Sequence, residues 1–167
     1  MFFLGKALVL KNIWTPALFL VIIVGAFLVI ILGKHPNPSF NLVIYDEQKA
    51  PLYQVAVLPG QEVILSYRHS ADGTPVVQIF EVREDSDLYL LEEQYSWYGA
   101  GLEYGSGYDF TFEEDTVRVK GYDRKFSELL LRVARTVPQQ LEVSGEIVRL
   151  SDLAPGGTRL LLKIDNN

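Results

Sequence analysis

Hydrophobic residues follow two different patterns along this chain. Between Lys11 and Lys34 lie 22 residues without a charge, and residues 18–32 are apolar on every face of a helix. A helix of that length extends roughly 33 Å, which is enough to cross the hydrocarbon core of a bilayer. The pattern therefore predicts a single N-terminal transmembrane helix over residues 12–33.

A cleaved signal peptide is the alternative to an anchor. Its apolar core is usually about 7–15 residues long and ends in small residues, whereas this run is longer and ends Ile30-Ile31-Leu32-Gly33. Lys6 and Lys11 precede the run, so the positive-inside rule places residues 1–11 in the cytoplasm. An uncleaved signal-anchor in the cytoplasmic membrane is favoured, with the rest of the chain outside, in a periplasm or at the cell surface.

After a proline-containing linker, residues 34–39, the hydrophobic period changes to two. Six segments are typical of strands: residues 61–69, 76–82, 88–91, 116–120, 146–150 and 158–164. Turn-forming pairs such as Pro59-Gly60 and Asp72-Gly73 separate them. The pattern predicts an all-β extracytoplasmic domain over residues 40–167, built as an antiparallel β-sandwich or a small barrel.

Residues 125–137 fit two kinds of secondary structure. A helix would place five apolar residues on one face: Phe126, Leu129, Leu130, Val133 and Val137. A strand would place Leu129, Leu131 and Val133 on one face. We favour a strand because the surrounding segments are all β, and the helix stays open.

Charge and cysteine content exclude several classes of function. The first 40 residues hold three lysines and no acid, while the remainder holds 12 basic and 21 acidic side chains, a net charge of −9. Such a domain is repelled by phosphate backbones, so no nucleic-acid partner is expected. The chain has no cysteine, which excludes disulfides, thiolate nucleophiles and thiolate metal ligands.

His69 is the one histidine of the predicted β domain, and Ser70 follows it. Adjacent side chains of a strand point to opposite faces, so Ser70 is poorly placed to hydrogen-bond His69 as a nucleophile. The chain also has no G-x-S-x-G motif. A structural role in the following turn is favoured over ligand contact, and ligand contact over catalysis. No catalytic residue is predicted.

A glycine-rich segment, residues 99–107, holds four glycines. Its aromatic flank consists of Tyr95, Trp97, Tyr98, Tyr104 and Tyr108. It is not a phosphate loop, because no lysine follows and Tyr104 stands where G-x-G-x-x-G needs its third glycine. Either its glycines only serve tight turns, or the loop forms an adaptable contact surface. The candidate contact residues are Trp97, Tyr98, Gly99, Gly101 and Glu103.

Acidic residues outside this loop could attract a hard cation. Asp85 and Asp87 form one set and residues 113–115 another, but neither matches an EF-hand loop. Short runs of charge are more often solvated surface. No metal and no cofactor is therefore predicted.

Three motifs in fixed order resemble the family catalogued as domain of unknown function 1850. The first is His69-Ser70 with Pro75-Val76, and the second is Gly99-Ala100-Gly101-Leu102. The third is Arg132-Val133-Ala134, with Leu150-Ser151-Asp152-Leu153 and Pro155-Gly156-Gly157 downstream. Members carry one N-terminal hydrophobic segment and are often encoded beside permeases of TAXI-type TRAP (tripartite ATP-independent periplasmic) transporters. The resemblance implies an accessory role in secondary solute uptake and no particular enzymatic activity.

Two positions depart from the pattern of that family. An acidic residue usually follows the Pro-Val pair, where Val77 and Gln78 stand here, and a proline usually stands at the position of Glu103. If that acid contributes to a ligand site with His69, Glu81 is the candidate substitute. The remaining candidate contact residues are His69, Ser70, Gln78, Glu81 and Arg132.

These observations favour a membrane-anchored binding protein that assists a TRAP-type transporter, with a permease or a solute-binding protein as partner. The linker supports a partner in the same membrane, because residues 35–39 reach only about 17 Å when extended. The alternatives are an extracytoplasmic hydrolase that uses His69 or a carboxylate, and a structural envelope protein without a ligand.

Overall fold

The computed structural model describes residues 40–69, 73–96 and 107–166. They belong to one unit of the chain, which spans Asn37–Asn167. The predicted anchor, its linker and the glycine-rich segment up to Ser106 lie outside the described residues. Within those three described ranges, no helix is long and apolar enough to cross a membrane.

Eleven strands and one helical turn form the described part of the chain. The strands are β1 (Phe40–Tyr45), β2 (Pro51–Val57), β3 (Glu62–Arg68), β4 (Pro75–Val82), β5 (Leu88–Tyr95), β6 (Asp109–Glu113), β7 (Thr116–Phe126), β8 (Leu129–Arg132), β9 (Gln139–Val143), β10 (Glu146–Arg149) and β11 (Arg159–Asn166). The helical turn is α1 (Leu150–Leu153). The prediction of an all-β domain is confirmed for these residues.

The strands form two antiparallel sheets. The smaller sheet has four strands in the order β2-β1-β11-β8, and the larger has seven in the order β10-β9-β3-β4-β5-β7-β6. Two packed sheets make a β-sandwich, so the sandwich that the sequence predicted is the observed architecture and the small barrel is not.

The main hydrophobic core lies between the two sheets. The smaller sheet contributes Leu42, Ile44, Leu160 and Leu162, all fully buried; the larger contributes Val63, Phe80 and Leu88, each at most 1% exposed. Burying one such side chain contributes about 1.5–3 kcal/mol. We call the side of the seven-stranded sheet that carries these residues its inner face.

Residues 125–137 contain no helix. They contain the end of β7 and all of β8, so the strand interpretation is confirmed and the helical one is wrong. Leu129 and Leu131 are half-buried, while Leu130 between them is 74% exposed. This alternation fits a strand at the edge of the smaller sheet, with one face on the core.

Five strands lie outside the six segments predicted from alternation: β8, within the ambiguous range 125–137, and β1, β2, β6 and β9. The sequence of β1 does not alternate, because Leu42, Val43 and Ile44 are all buried, as in a strand covered on both faces. The predicted strand 146–150 is one residue longer than the observed β10, because Leu150 begins α1 and its side chain lies in the core.

A bulge interrupts the middle of the seven-stranded sheet. Phe80 pairs with Leu90 and Ile79 pairs with Glu92, so Leu91 is an extra residue in β5 relative to β4. On the other side, three residues of β7, residues 121–123, lie opposite Leu91. Two of them have positive φ, +88° at Gly121 and +43° at Asp123, as the tight path of a bulge requires.

The extra residue reverses which side chains of β5 point inward. Leu88 and Leu90 precede Leu91 and lie in the core. After Leu91, Glu93 pairs with Gln78, which lies on the same face of β4 as the buried Phe80. Glu93 therefore lies on the inner face, and its neighbour Glu92 lies on the outer face.

Candidate functional site

One carboxylate collects polar side chains from three neighbouring strands at the margin of the core. Gln78 of β4 donates an amide N–H to Oε1 of Glu93 over 2.5 Å. The hydroxyl of Tyr95, two residues along β5, donates to Oε2 of the same carboxylate. Tyr122 in the β7 bulge also interacts with Glu93 and with Tyr95. The bulge thus brings these groups to a single point on the inner face.

Burial and the charge of Glu93 act together on the neighbouring phenols. Burial is the larger cause and the contact with Glu93 the second for Tyr95 and Tyr122, and both raise the pKa well above its ordinary value. The pKa of Tyr67 on β3 is raised for the same two reasons, burial first and then the charge of Glu93. All three tyrosines are therefore neutral hydrogen-bond donors at physiological pH. We call Tyr67, Gln78, Glu93, Tyr95 and Tyr122 the Glu93 cluster.

An aromatic layer lies next to this cluster. The buried Val117 and Val119 of β7 are packed against four partly buried rings: Tyr95, Tyr108, Phe110 and Tyr122. The rings of Tyr108 and Tyr122 lie 4.6 Å apart between centroids, at 38°. We call these two valines and four rings the aromatic layer. Its described residues all come from the seven-stranded sheet or from the segment just before β6. The carboxylate is thus flanked by aromatic side chains.

The outer face at the same position has the opposite electrostatic character. Glu92 is paired with Arg118 and with Lys120, each at 3.3 Å. Within the part of the chain that the structure describes, no lysine, arginine or histidine forms an ion pair with Glu93. Its negative charge is stabilised there by neutral donors alone. Such a carboxylate can still attract a positively charged or proton-donating group.

The structure places four of the predicted contact residues in different surroundings. Gln78 belongs to the Glu93 cluster. His69 follows β3, where its backbone closes the turn to β4 through bonds to Thr74 and Gly73; its side chain is half-buried. Glu81 lies on the outer face, 3.0 Å from Arg83. It therefore does not join Gln78 on the inner face, and Glu93 is the acid beside Gln78.

Arg132 belongs to the other sheet. It ends β8 and pairs with Arg159 of β11. Arg159 is the main cause of the lowered pKa of Glu47, through its hydrogen bonds and charge, and the charge of Arg132 adds a smaller contribution. No described contact links Arg132 to the Glu93 cluster. The other predicted contact residues lie outside the described ranges and stay predictions: Ser70, Trp97, Tyr98, Gly99, Gly101 and Glu103.

Glu93, Tyr67 and Tyr122 are not predicted by the sequence pattern. Alternation continued from Leu88 and Leu90 would place Glu92, not Glu93, on the inner face. The one available signal is the adjacent pair Leu90-Leu91, which breaks the alternation just before two acids. Tyr95 stood in the predicted aromatic flank, but its role as a donor to Glu93 follows only from the bulge.

The acids proposed for a cation have lysine as their partner. Asp85 and Asp87 lie 2.9 Å and 2.5 Å from Nζ of Lys125, and these contacts raise the pKa of Lys125. Across residues 40–69, 73–96 and 107–166, no three His, Asp or Glu side chains are grouped to hold a metal. A cavity of about 600 Å³ lies nearby, lined by residues 59–60 and 81–85, and its surface is open and charged.

The raised tyrosine pKa values give an expected alkaline behaviour. The unfolded chain ionises its tyrosines near pH 10, whereas folded Tyr95 and Tyr122 hold their protons to higher pH. The folded state therefore binds more protons above pH 10, and its free energy of unfolding falls as pH rises from there. Ultraviolet titration of tyrosinate should show that these tyrosines ionise only as the protein unfolds.

A charge-neutral variant provides the control for that titration. Glu93→Gln removes the negative charge but leaves burial, so the cluster tyrosines should ionise at lower pH than in the parent protein. Glu92→Gln on the outer face should leave their titration unchanged. Ionisation of all nine tyrosines near the ordinary pKa in the folded protein would contradict the prediction.

Comparison with known families gives one match. A family model described as domain of unknown function (DUF1850) matches residues 63–150. This range runs from the second residue of β3 to the end of β10, and it includes every residue of the Glu93 cluster. Searches of curated proteins and of solved structures return no match.

Proposed function

This chain belongs to the DUF1850 family, and we propose that it is a membrane-anchored extracytoplasmic binding protein that assists a TRAP-type solute transporter. The matched residues contain nearly all of the seven-stranded sheet, with a polar cluster at the margin of the core. The anchor predicted over residues 12–33 would hold this domain at the membrane. The short linker would keep it within reach of a permease or of a solute-binding protein docked there.

The Glu93 cluster is the observation that carries a binding role. Four strands of one sheet contribute: Tyr67 from β3, Gln78 from β4, Glu93 and Tyr95 from β5, and Tyr122 from β7. A few convergent polar groups set among aromatic and apolar side chains are typical of a recognition site. All five side chains are partly exposed, so a ligand or a partner can reach them.

The same geometry favours binding over hydrolysis. Glycoside hydrolysis needs two carboxylates about 5–9.5 Å apart that face one substrate. The acid next to Glu93 in sequence, Glu92, points to the opposite face and is ion-paired. A hydrolytic nucleophile would also need a base within hydrogen-bonding reach. The described partners of Glu93 are an amide and phenols, whose raised pKa values suit them to hydrogen bonding.

Crosslinking in native membranes tests the proposal. The full-length chain, carrying an affinity tag, is crosslinked in its own membranes and recovered, and the attached proteins are identified. We expect a TRAP permease subunit or a solute-binding protein, enriched over a tagged membrane protein of unrelated fold. A Trp97→Ala, Tyr98→Ala double variant in the predicted contact loop should recover less, and Leu130→Ala on the smaller sheet should recover as much. Recovery of neither transporter component by the parent chain would refute the proposal.

A further inference from the structure

We propose that the Glu93 cluster recognises a small organic ammonium group. The inference rests on the proposed binding function and names the class of ligand at that site. It follows from three properties of the cluster: which hydrogen-bonding groups are already used, where the charge of Glu93 is compensated, and what surrounds it.

The hydrogen-bond inventory disfavours an anion and favours a cation. The hydroxyl proton of Tyr95 and an amide proton of Gln78 already point at Glu93, and Tyr122 hydrogen-bonds the same carboxylate. A carboxylate has about four acceptor sites, so one stays open, and the phenol oxygens keep acceptor lone pairs. An anion would meet the negative charge of Glu93 and the hydroxyl protons of Tyr95 and Tyr122, which are already committed. A positively charged group, with or without N–H donors, meets acceptor lone pairs instead.

The charge balance also favours a cation. Among the described carboxylates of the neighbouring strands, ion pairing to lysine or arginine is common: Glu92 with Lys120, Asp87 with Lys125, and Glu81 with Arg83. In that same part of the chain Glu93 has only neutral donors around it. A half-buried charge of this kind attracts a mobile cation, because the interaction is less screened than at the surface.

The surroundings distinguish an organic ammonium from a metal ion. A hard metal ion takes six or more oxygen ligands, several of them carboxylates, and Glu93 is the one carboxylate of the cluster. Ammonium groups are recognised instead by one negative charge and the faces of aromatic rings. Tyr95, Tyr108 and Tyr122 of the aromatic layer supply those rings.

A pair of isosteric ligands tests the inference on the unaltered protein. Full-length protein in detergent micelles is titrated with choline, and separately with 3,3-dimethylbutan-1-ol, which has the same shape without the charge. Binding is followed by calorimetry and by the NMR shifts of tyrosine rings. We expect choline to bind at least about tenfold more tightly than the neutral alcohol, and acetate not to compete. Equal affinity for the two ligands, or no binding of choline, would overturn the inference.

Two acid-to-amide variants locate the site. Glu93→Gln keeps acceptors for Tyr95 while removing the charge, and should weaken choline at least about tenfold. Glu92→Gln makes the same change one residue away on the outer face, and should bind choline within about twofold of the parent. Equal weakening in both variants would place the site elsewhere. If Glu93→Gln does not fold, the comparison of choline with 3,3-dimethylbutan-1-ol on the unaltered protein tests the inference by itself.

The two proposals fail separately. Crosslinking to a transporter component requires no added ligand, so it can succeed while choline does not bind. If the protein binds choline through Glu93 but no transporter component is recovered with it, the organic-ammonium ligand is supported and the transporter-associated function is refuted.

Discussion

Phe80→Ala is expected to lower the free energy of unfolding by about 3–5 kcal/mol. Phe80 is 1% exposed and lies at the centre of the inner face. Its ring meets Phe126 edge-on, with centroids 5.8 Å apart. Alanine would leave a cavity. The strands are held in two hydrogen-bonded sheets, so they cannot move together to fill it. Since small domains are stable by only about 5–15 kcal/mol, much of the total would be lost.

Chemical denaturation of the full-length protein in detergent measures the effect. Phe112→Ala is the matched control, because it removes the same ring from a position that is 55% exposed. We expect the control to cost less than about 1 kcal/mol. Equal losses in the two variants would show that the inner face is not the core that stabilises the domain.

Deletion of Leu91 is expected to lower the free energy of unfolding by about 1–3 kcal/mol and to leave Glu93 on the inner face. Removing one residue from a regular strand reverses the faces of everything on one side of the change, but Leu91 is the extra residue of a bulge. Without it, Glu92 follows Leu90 directly, and both residues keep their partners on β4. Leu90 and Glu93 therefore both stay on the inner face. The loss of stability arises at β7, where residues 121–123 lose the residue that lies opposite them.

Leu91→Ala separates the length of β5 from its side chain. It keeps the residue count, and with it the bulge, so it should cost about 1 kcal/mol or less for a half-buried leucine. Tyrosinate titration gives a second measurement, since Tyr95 should keep its raised pKa beside Glu93 in both variants. A deletion variant in which Tyr95 ionises at the ordinary pKa would refute the assignment of Leu91 as the extra residue of the bulge.

Strands were predictable where one face is buried and the other is exposed to solvent. In β4, for example, Val76, Phe80 and Val82 are buried and the residues between them are not, so hydrophobic alternation identifies the strand. It failed at β1, where Leu42, Val43 and Ile44 are all buried and nothing alternates. Residues 125–137 lay between these cases. There the pattern allowed a helix or a strand, and pairing of Leu129–Arg132 with β11 made it a strand.

The candidate site was predictable only in part. The family resemblance points to the positions after Pro75-Val76 and so predicts Gln78 as a contact residue. It predicts Glu81, on the same strand, as the accompanying acid. The structure supplies Glu93 from the neighbouring strand instead, in direct register with Gln78. A linear pattern cannot show that two residues fifteen positions apart face each other, because register depends on the lengths of the turn and of any bulge.

Local chemistry was enough to predict an all-β domain, its acidic surface and its family, since alternation, charge and ordered motifs are all properties of consecutive residues. The orientation of Glu93 was decided by the tertiary structure. Alternation along β5 predicts that Glu93 lies on the outer face. Because Leu91 is one extra residue, opposite three residues of β7, the carboxylate of Glu93 lies on the inner face among tyrosines instead. That reversal has no local cause in the strand. It arises because the sheet must pair β5 with β4 and β7 at once, and the bulge is where both registers are accommodated.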